Sequence, residues 1–348
     1  MTSPKLENTR VLSQKQLPSP AELHREIPVG EQAARSVRAG RSALEQILSG
    51  EDPRFFVVLG PCSIHDPKSA LEYAARLRRL ADEVSERVYL VMRVYFEKPR
   101  TTVGWKGLIN DPHMDDSFDI PLGLRTARKL MVDLNDFGLP LGTEALDPLT
   151  PQYLGDLVSW SAIGARTTES QTHREMASGL STPVGFKNGT DGSLQVAINA
   201  MQAAAAPHSF LGVDFQGRAA VTRTSGNPFG HLILRGGSTP NYDSVCVAEA
   251  EEQLRAASLA ARIVVDCSHG NSNKKYERQP LVLRDVAHQV RDGNRALVGA
   301  MLESHLVAGA QKIPADPSKL VYGQSVTDAC LGWDDTRSAV LELAGLLG

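Results

Sequence analysis

Seven charged or nucleophilic side chains follow short apolar segments at intervals along the chain. They are Cys62, Arg93, Glu144, Arg166, Lys187, His269 and Glu303. Each stands at or just beyond the end of a segment that reads as a buried β-strand. If these ends meet on one rim, as in a β/α barrel, the charges are costly to desolvate unless a ligand compensates them. Together they predict a functional site, although any one of them alone could be a solvated loop residue.

The cations of this set suit anionic ligands. Arg93, Arg166 and Lys187 belong to it, and Arg235 adds a fourth cation in a Leu-Arg-Gly-Gly turn. Arginine forks and backbone amides freed by glycine bind phosphate and carboxylate oxygens. These residues therefore predict an anion pocket.

A second set offers sulfur, nitrogen and oxygen ligands. It consists of Cys62, His269, Glu303 and a later acid such as Asp328. Such a mixture suits a divalent transition metal better than magnesium or calcium. The wide spacing makes no short metal motif, so Cys62 could instead be a small buried apolar residue and His269 a core histidine.

The segment after the second predicted strand carries further cations. It reads Lys-Pro-Arg-Thr-Thr at 98–102 and Gly-Trp-Lys-Gly at 104–107. Cations, a rigid proline and two hydroxyls make a second phosphate site, with an ordinary surface loop as the alternative. Two anion sites and one metal on one rim suggest an enzyme that joins two phosphorylated small molecules.

Alternating short apolar strands and amphipathic helices would position these groups. Strands are predicted at 55–59, 88–95, 139–143, 161–165, 183–186, 209–213, 263–265 and 296–301. Continuous apolar strands between helices indicate a parallel sheet that is buried on both faces. Eight such units favour an α/β fold of the (β/α)8 TIM-barrel type over an open sheet.

Two departures from a plain barrel are predicted. Residues 1–50 form an N-terminal extension, and residues 51–348 form the catalytic barrel. An inserted β-hairpin is expected at about 214–235, with strands at 218–224 and 231–234 joined by a Ser-Gly-Asn-Pro turn.

Composition excludes several classes of protein. The chain has 348 residues and a formal net charge of −3, which argues against a nucleic-acid partner. It has no signal-peptide pattern and no apolar run of about 18 residues, so no membrane span is predicted. The 4 cysteines form no CxxC pair, so reduced thiols and a cytoplasmic location are expected.

Six motifs carry a resemblance to one enzyme family. They are GPCSIHD at 60–66, KPRTTVGWKG at 98–107, GARTTESQ at 164–171, GFKNGTDG at 185–192, DCSHGN at 266–271 and SVTDAC at 325–330. On these residues, nearly the whole chain resembles the class I 3-deoxy-D-arabino-heptulosonate-7-phosphate (DAHP) synthases. The resemblance implies condensation of phosphoenolpyruvate with erythrose 4-phosphate and release of phosphate, the first step of the shikimate pathway.

The resemblance also implies roles for individual residues. It implies a divalent metal (Mn, Fe, Co or Zn) held by Cys62, His269, Glu303 and Asp328. It implies that phosphoenolpyruvate is bound by Arg93, Lys98, Ala165, Arg166, Lys187 and Arg235, and the phosphate of erythrose 4-phosphate by Arg100 and Thr101.

Lys98, Glu144 and His269 are the candidate catalytic residues. Lys98 stands between the two anion sites, where neighbouring cations should lower its pKa and suit it to proton transfer. Glu144 is a second candidate, for handling the water that adds at C2. The metal held in part by His269 would make the aldehyde a better electrophile.

The resemblance further implies inhibition by an aromatic amino acid, bound near the extension and the hairpin. The matching residues are Pro151, Gln152, Met176, Leu180, Ser181, Phe210, Gly212 and Thr222. In this family glycine at the position of Gly212 accompanies tyrosine sensing and serine accompanies phenylalanine sensing, so tyrosine is expected. A glycine required by a strand bulge is the alternative explanation.

Two other functions are weighed against this one. The 3-deoxy-octulosonate 8-phosphate synthases share the barrel but resemble Lys-Ala-Asn-Arg where this chain has Lys-Pro-Arg-Thr at 98–101, and they lack the long N-terminal segment. An inactive amino-acid-sensing scaffold would be expected to have lost Cys62, Lys98 or His269. A homodimer or homotetramer is expected, and the sequence decides neither between these two nor which metal is native.

Overall fold

Eight parallel strands close into a barrel within residues 6–100 and 102–348, which the computed structural model describes. The strands of these residues are β1 (Phe55–Gly60), β2 (Val88–Arg93), β3 (Leu141–Glu144), β4 (Trp160–Ile163), β5 (Val184–Lys187), β6 (Ser209–Val213), β7 (Ala219–Arg223), β8 (Gly230–Leu234), β9 (Ile263–Asp266), β10 (Leu297–Glu303), β11 (Val307–Ala310) and β12 (Gln324–Ser325). Around the barrel the order is β1-β2-β3-β4-β5-β8-β9-β10, and β10 pairs with β1. The predicted (β/α)8 barrel is confirmed.

Helices surround the barrel. They are α1 (Pro20–Glu26), α2 (Glu31–Ser49), α3 (Pro67–Val84), α4 (Ile120–Asp136), α5 (Thr150–Leu154), α6 (Gln171–Ala177), α7 (Gln195–Ala205), α8 (Ser244–Ala256), α9 (Gln279–Arg291) and α10 (Trp333–Leu346). None of the helices in the described residues is long and apolar enough to span a membrane.

The barrel strands are apolar because both of their faces are covered. In β1 every residue is buried, yet successive side chains point to opposite sides. Phe56 and Val58 join the cluster inside the barrel with Trp160, whereas Val57 and Leu59 pack outward under the helices. Burial on both faces explains why these strands show no alternation of apolar and polar residues.

The hairpin is formed by a different pair of strands from the predicted one. β6 pairs antiparallel with β7 outside the barrel, and β8 is the sixth barrel strand, between β5 and β9. The assignment of 209–213 to the barrel and of 231–234 to the hairpin was therefore wrong. Both segments are short and apolar, but β6 is only half-buried while β8 is almost wholly buried, a difference that only tertiary packing decides.

The N-terminal extension closes the barrel at the end where the strands begin. Leu44, Ile47 and Leu48 of α2 pack against the cluster inside the barrel. Arg41 of the same helix donates to the carbonyl oxygens of Val158 and Gly155, just before β4. The opposite end of the barrel, where the strands finish, is left open to ligands.

The chain after β10 folds back over that open end. β11 pairs with β12, and the backbone N–H of Leu331 donates to the carbonyl oxygen of Glu303 at 2.9 Å. The hydroxyls of Ser63 and Thr327 lie 2.7 Å apart. These contacts bring the segment with Asp328 to the loop after β1.

Candidate active site

All eight barrel strands contribute a polar side chain to one rim. In barrel order the contributors are Cys62 after β1, Arg93 in β2, Glu144 in β3, Arg166 after β4, Lys187 in β5, Arg235 after β8, Asp266 in β9 and Glu303 in β10. β8 is the sixth barrel strand, so Arg235 is the side chain at the end of that strand. No rim residue was predicted at the end of 209–213, the strand predicted in its place.

Six of these side chains line a cleft of about 250 Å³, and Cys62 and Asp266 lie buried behind it. Its lining includes Arg93, Lys98, Arg100, Glu144, Ala165, Arg166, Lys187, Arg235, His269, Glu303 and Asp328, all of them predicted. Cys62 lies buried beside Lys98. Thr101 lies outside the described residues.

Three of the four predicted metal ligands converge closely. Ligand atoms of Cys62, Glu303 and Asp328 all lie within 4.8 Å of one another. His269 faces them, with its Nε2 3.9 Å from Glu303 Oε1. Burial, followed by the Glu303 carboxylate, raises the pKa of the Cys62 thiol to about 11. A thiol and carboxylates crowded together in this way are the donor set expected for a transition metal, whose charge offsets their mutual repulsion.

Lys98 lies against this cluster. Its Nζ is 3.0 Å from the sulfur of Cys62. Burial alone would lower the pKa of Lys98, but Cys62 and the Glu303 carboxylate outweigh burial, so the pKa lies above its usual value. The expected lowering of this pKa was wrong, because the sequence showed the neighbouring cations but not the nearby Cys62 sulfur and Glu303 carboxylate.

Arg93 is held from several sides. Its guanidinium donates to the carbonyl oxygens of Pro61 and Cys62 and, at 3.2 Å, to Glu303 Oε1. It also stacks on the ring of Tyr95 at 3.4 Å from the centroid. Arg93 therefore joins the anion pocket to the metal-ligand cluster in a rigid arrangement.

The turn that carries Arg235 is fixed by Asn188. The Asn188 side chain accepts from the backbone N–H of Arg235 at 2.8 Å and donates to the carbonyl oxygen of Gly236 at 3.0 Å. At Gly237 a Cβ atom would lie 2.5 Å from the backbone of the loop after β5. This close approach explains the Gly-Gly pair, and Asn188 is a positioning residue that sequence reasoning missed.

Glu144 stands between the cleft and a neighbouring cavity of about 380 Å³. Its carboxylate lies where a side chain at position 164 would be, since a Cβ on Gly164 would be 2.2 Å from Glu144 Oε1. The glycine after β4 is therefore needed for Glu144 to reach the cleft.

The loop after β2 is closed by its own hydrogen bonds. Lys98 N–H donates to the carbonyl oxygen of Lys106, and Arg100 Nε donates to that of Trp105 at 2.7 Å. The indole N–H of Trp105 donates to the carbonyl oxygen of Asp111 at 2.7 Å. Arg100 is thereby held at the edge of the cleft, on the side where a second phosphate was predicted.

The predicted effector residues line a separate cavity of about 650 Å³. Pro151, Gln152, Met176, Leu180, Ser181, Phe210, Gly212 and Thr222 all belong to it. Pairing of β6 with β7 is regular through Gly212, and its φ is not positive, so neither a bulge nor the backbone requires glycine there. A Cβ at this position would lie 2.3 Å from Thr222 Oγ1. The glycine is therefore explained by the lack of room for a side chain.

Asp266 is the other residue that sequence reasoning missed. It is buried at the end of β9, and its carboxylate contacts both Lys187 and His269. Burial would raise its pKa, but the charges of Lys187 and His269 hold the pKa well below the usual value. A lone acid that ends an apolar strand within the motif DCSHGN was the signal that could have identified it.

Comparison with known proteins finds similar proteins over nearly the whole chain. The model of the DAHP synthetase I family matches residues 26–341. The Tyr-sensitive phospho-2-dehydro-3-deoxyheptonate aldolase of Escherichia coli (strain K12) is 58% identical over 97% of this chain and 95% of its own length. The Phe-sensitive enzyme of that strain is 55% identical over 97% of this chain and 96% of its own. A solved structure of the aldolase from Francisella tularensis SCHU S4 superposes with a TM-score of 0.94 at 46% identity, covering 97% of this chain and 98% of that one.

Proposed function

The chain belongs to the DAHP synthetase I family and is an enzyme of that family, and we propose that it condenses phosphoenolpyruvate with D-erythrose 4-phosphate and water to form DAHP and phosphate. This transferase reaction opens the shikimate pathway to the aromatic amino acids. The observation that carries the proposal is the cleft itself, where cations from four strand ends lie beside a cluster of side chains suited to a metal.

Phosphoenolpyruvate fits the cationic side of the cleft. Arg166, Lys187 and Arg235 can share its phosphate and carboxylate oxygens with Lys98 and Arg93. Arg93 and Lys187 are already buried and fixed, so the substrate is oriented without a further loss of side-chain entropy. Ala165 adds backbone next to Arg166 in the same wall.

Erythrose 4-phosphate is assigned to the loop after β2. Arg100 lines the cleft at its edge, where it can bind the phosphate of the second substrate. Thr101 is proposed as its partner. The aldehyde end of the sugar then points toward the metal-binding residues.

Cys62, His269, Glu303 and Asp328 would hold a divalent metal, with manganese, iron, cobalt or zinc all suited to this donor set. When bound, it supplies Lewis-acid polarisation of the aldehyde oxygen. His269 contributes to catalysis as one of these ligands.

Two side chains are proposed for proton transfer. Lys98 is protonated and lies beside the ligand cluster, so it can donate a proton to the oxygen of the former aldehyde as C3 of phosphoenolpyruvate attacks. Glu144 also lines the cleft and is proposed to accept a proton from the water that adds at C2. Collapse of the resulting adduct breaks the C2–O bond and releases phosphate.

We further propose tyrosine as the feedback inhibitor. The cavity beside β6 and β7 has the size for an aromatic amino acid, and Gly212 leaves room for a ring substituent. The relatives named above include Tyr-sensitive and Phe-sensitive enzymes, and the former are the more similar.

A homodimer or homotetramer is proposed as the working assembly. Leu211 and Val221 are paired across the hairpin and are 92% and 68% exposed, which is unusual for apolar residues of a stable surface. A monomer in sedimentation velocity would rule this out.

The four free thiols fit a reducing compartment, and we propose the cytoplasm as the location of the protein.

One assay tests the proposed reaction. Purified protein, stripped of metal, is given both substrates with and without Mn²⁺, and phosphate release is followed. Release should need the metal and should fall most on addition of tyrosine rather than phenylalanine or tryptophan. Full activity in a chelator, or equal activity with arabinose 5-phosphate in place of erythrose 4-phosphate, would contradict the proposal.

A further inference from the structure

One carboxylate, that of Asp266, contacts working groups of both halves of the active site. We propose that Asp266 is a positioning residue that aims the imidazole of His269 at the metal-binding cluster and the ammonium of Lys187 at the anion pocket. The inference rests on the proposed function for the identity of the two ligands, a divalent metal and phosphoenolpyruvate. The contacts of Asp266 do not depend on which reaction the enzyme catalyses.

Both oxygens of Asp266 are fully engaged. Oδ2 accepts from Lys187 Nζ at 2.7 Å and from His269 Nδ1 at 3.0 Å. Oδ1 accepts from the backbone N–H of Ser268 at 3.0 Å and from its hydroxyl at 2.5 Å. Asp266 is 1% exposed, so water does not compete for these bonds.

The contact with Oδ2 decides which nitrogen of His269 is available to a metal. A carboxylate can only accept, so Nδ1 carries the proton that it donates to Asp266. In the neutral imidazole, the form that binds a metal, the other nitrogen, Nε2, then carries no proton, and it lies on the side of Glu303. A hydrogen bond from the second ring nitrogen to a carboxylate is the common way in which proteins orient a metal-binding histidine.

The backbone supports the same orientation. His269 has a φ of 55°, in the left-handed region that a residue with a side chain rarely adopts. The turn is held because the Lys274 N–H donates to the His269 carbonyl oxygen at 2.8 Å and the Gly270 N–H donates to that of Arg235 at 3.0 Å. A strained backbone at this position is stable only when its surroundings fix it, and Asp266 fixes the ring together with the Ser268 hydroxyl, which Asp266 itself holds.

The contact with Lys187 acts on the anion pocket. Lys187 is 5% exposed, and Asp266 is its ion-pair partner among the described residues. Without that partner the positive charge of the buried ammonium would be unpaired, and no carboxylate would hold the ammonium towards the anion pocket. Because the two donors share one oxygen, a change at Asp266 should affect metal binding and phosphoenolpyruvate binding together.

The alternative is a structural role in which Asp266 only joins β5 to β9. That role predicts lower thermal stability with normal ligand affinity. Asp266→Asn separates the two, because it keeps the shape of the side chain and removes the charge and the shared acceptor.

The experiment measures binding without turnover. Metal-free wild type and Asp266→Asn are titrated with Mn²⁺ by electron paramagnetic resonance of the free ion, and with phosphoenolpyruvate alone by calorimetry. Both dissociation constants should rise at least about tenfold, the size of effect known for residues that support metal ligands. Asp52→Asn, which removes a carboxylate paired with Arg54 before β1, is the control and should leave both constants unchanged.

Ser268→Ala keeps the inference testable if Asp266→Asn does not fold. It removes the hydroxyl that holds Asp266 Oδ1 at 2.5 Å and lies 2.7 Å from His269 Nδ1, but it leaves the pair of Asp266 with Lys187. Asp266 then holds the imidazole less firmly, so Mn²⁺ should bind more weakly while phosphoenolpyruvate binds normally. Unchanged Mn²⁺ affinity in either variant would overturn the inference. If wild type binds both ligands but makes no product, the proposed reaction fails while the role of Asp266 is still decided by these constants.

Discussion

The chemistry at the residue scale depends on how closely unlike charges are packed. Lys98 contacts the Cys62 sulfur, Arg93 contacts Glu303, and Lys187 contacts Asp266. Each cation therefore contacts a carboxylate or a sulfur before any substrate arrives. Such pairing offsets the cost of burying these cations beside the cleft.

The first prediction concerns Lys98. Lys98→Ala should lower kcat by about 10²- to 10⁴-fold, because a positioned acid is lost from the step that makes the alkoxide. Steady-state kinetics with both substrates measure this. Lys106→Ala, in the same loop but exposed, should retain kcat. A Lys98→Ala enzyme with weaker substrate binding but normal turnover would disprove the acid role.

The second prediction concerns the pH dependence of stability. Burial, followed by the Asp147 carboxylate, raises the pKa of Glu97 to about 7. The unfolded chain releases this proton at lower pH, so stability is full below the unfolded pKa and is lost as the pH rises to the folded pKa. The loss from this group is about 3 kcal/mol. Between about pH 5 and pH 8, Glu97→Gln should lose less thermal stability than wild type.

Exposed Glu51 provides the comparison for this measurement. Glu51→Gln should show the same change in melting temperature between the two pH values as wild type. If Glu97→Gln also matched wild type, the buried carboxyl would have no part in the pH dependence.

At the scale of elements, short turns after the strands decide which side chains reach the cleft. Glycines allow backbone and side chains of neighbouring turns to approach, as Gly164 does for Glu144 and Gly237 does for the loop after β5. The hairpin of β6 and β7 lies outside the barrel and supplies one wall of the cavity proposed for the effector. The same insertion leaves the eight catalytic strand ends undisturbed.

The third prediction tests one of these turns. Gly164→Ala places a methyl group 2.2 Å from Glu144 Oε1, so the carboxylate must move out of its position. We expect kcat to fall by at least about tenfold, since one general acid–base group is displaced. Gly155→Ala is a matched control, because nothing lies within 4 Å of its added Cβ. Equal activity of both variants would argue against a role for Glu144.

For the whole molecule, the barrel has one sealed end and one open end. α2 seals the end where the strands begin. α1, also in the extension, contacts the segment after β3, since His24 Nε2 lies 3.1 Å from the carbonyl oxygen of Tyr153. Arg128 of α4 ties these parts together, since it donates to the carbonyl oxygen of Ile27 and pairs with Asp156.

The fourth prediction concerns this tie. Arg128→Met should lower the free energy of unfolding by about 2 kcal/mol, which is less than for a wholly buried pair because Asp156 is 33% exposed. It should also weaken inhibition by the effector more than it weakens catalysis, because Arg128 holds the carbonyl oxygen of Tyr153 at 2.9 Å, next to Pro151 and Gln152 in the lining of the proposed effector cavity. Thermal unfolding and inhibition curves measure the two effects.

Arg125→Met is the control for this variant. Arg125 lies three residues earlier in α4 and pairs with Glu26, but the pair is exposed, so its loss should cost less than about 1 kcal/mol. Equal destabilisation by both substitutions would mean that burial of Arg128 does not matter.

The sequence by itself determined the barrel and the chemical character of its rim. Continuous apolar strands such as β1, each followed by a polar side chain, specify parallel strands covered on both faces, and parallel strands bring their ends together. Local patterns do not report which strand pairs with which, so β6 and β8 were interchanged. The pKa of Lys98 depended in the same way on distances to Cys62 and Glu303 that are set by strands far apart in the chain. The role proposed for Asp266 could be inferred only from the tertiary structure, which places its carboxylate between Lys187 and His269. Lys187 is far from Asp266 in the chain, so sequence spacing does not show that the two residues are in contact.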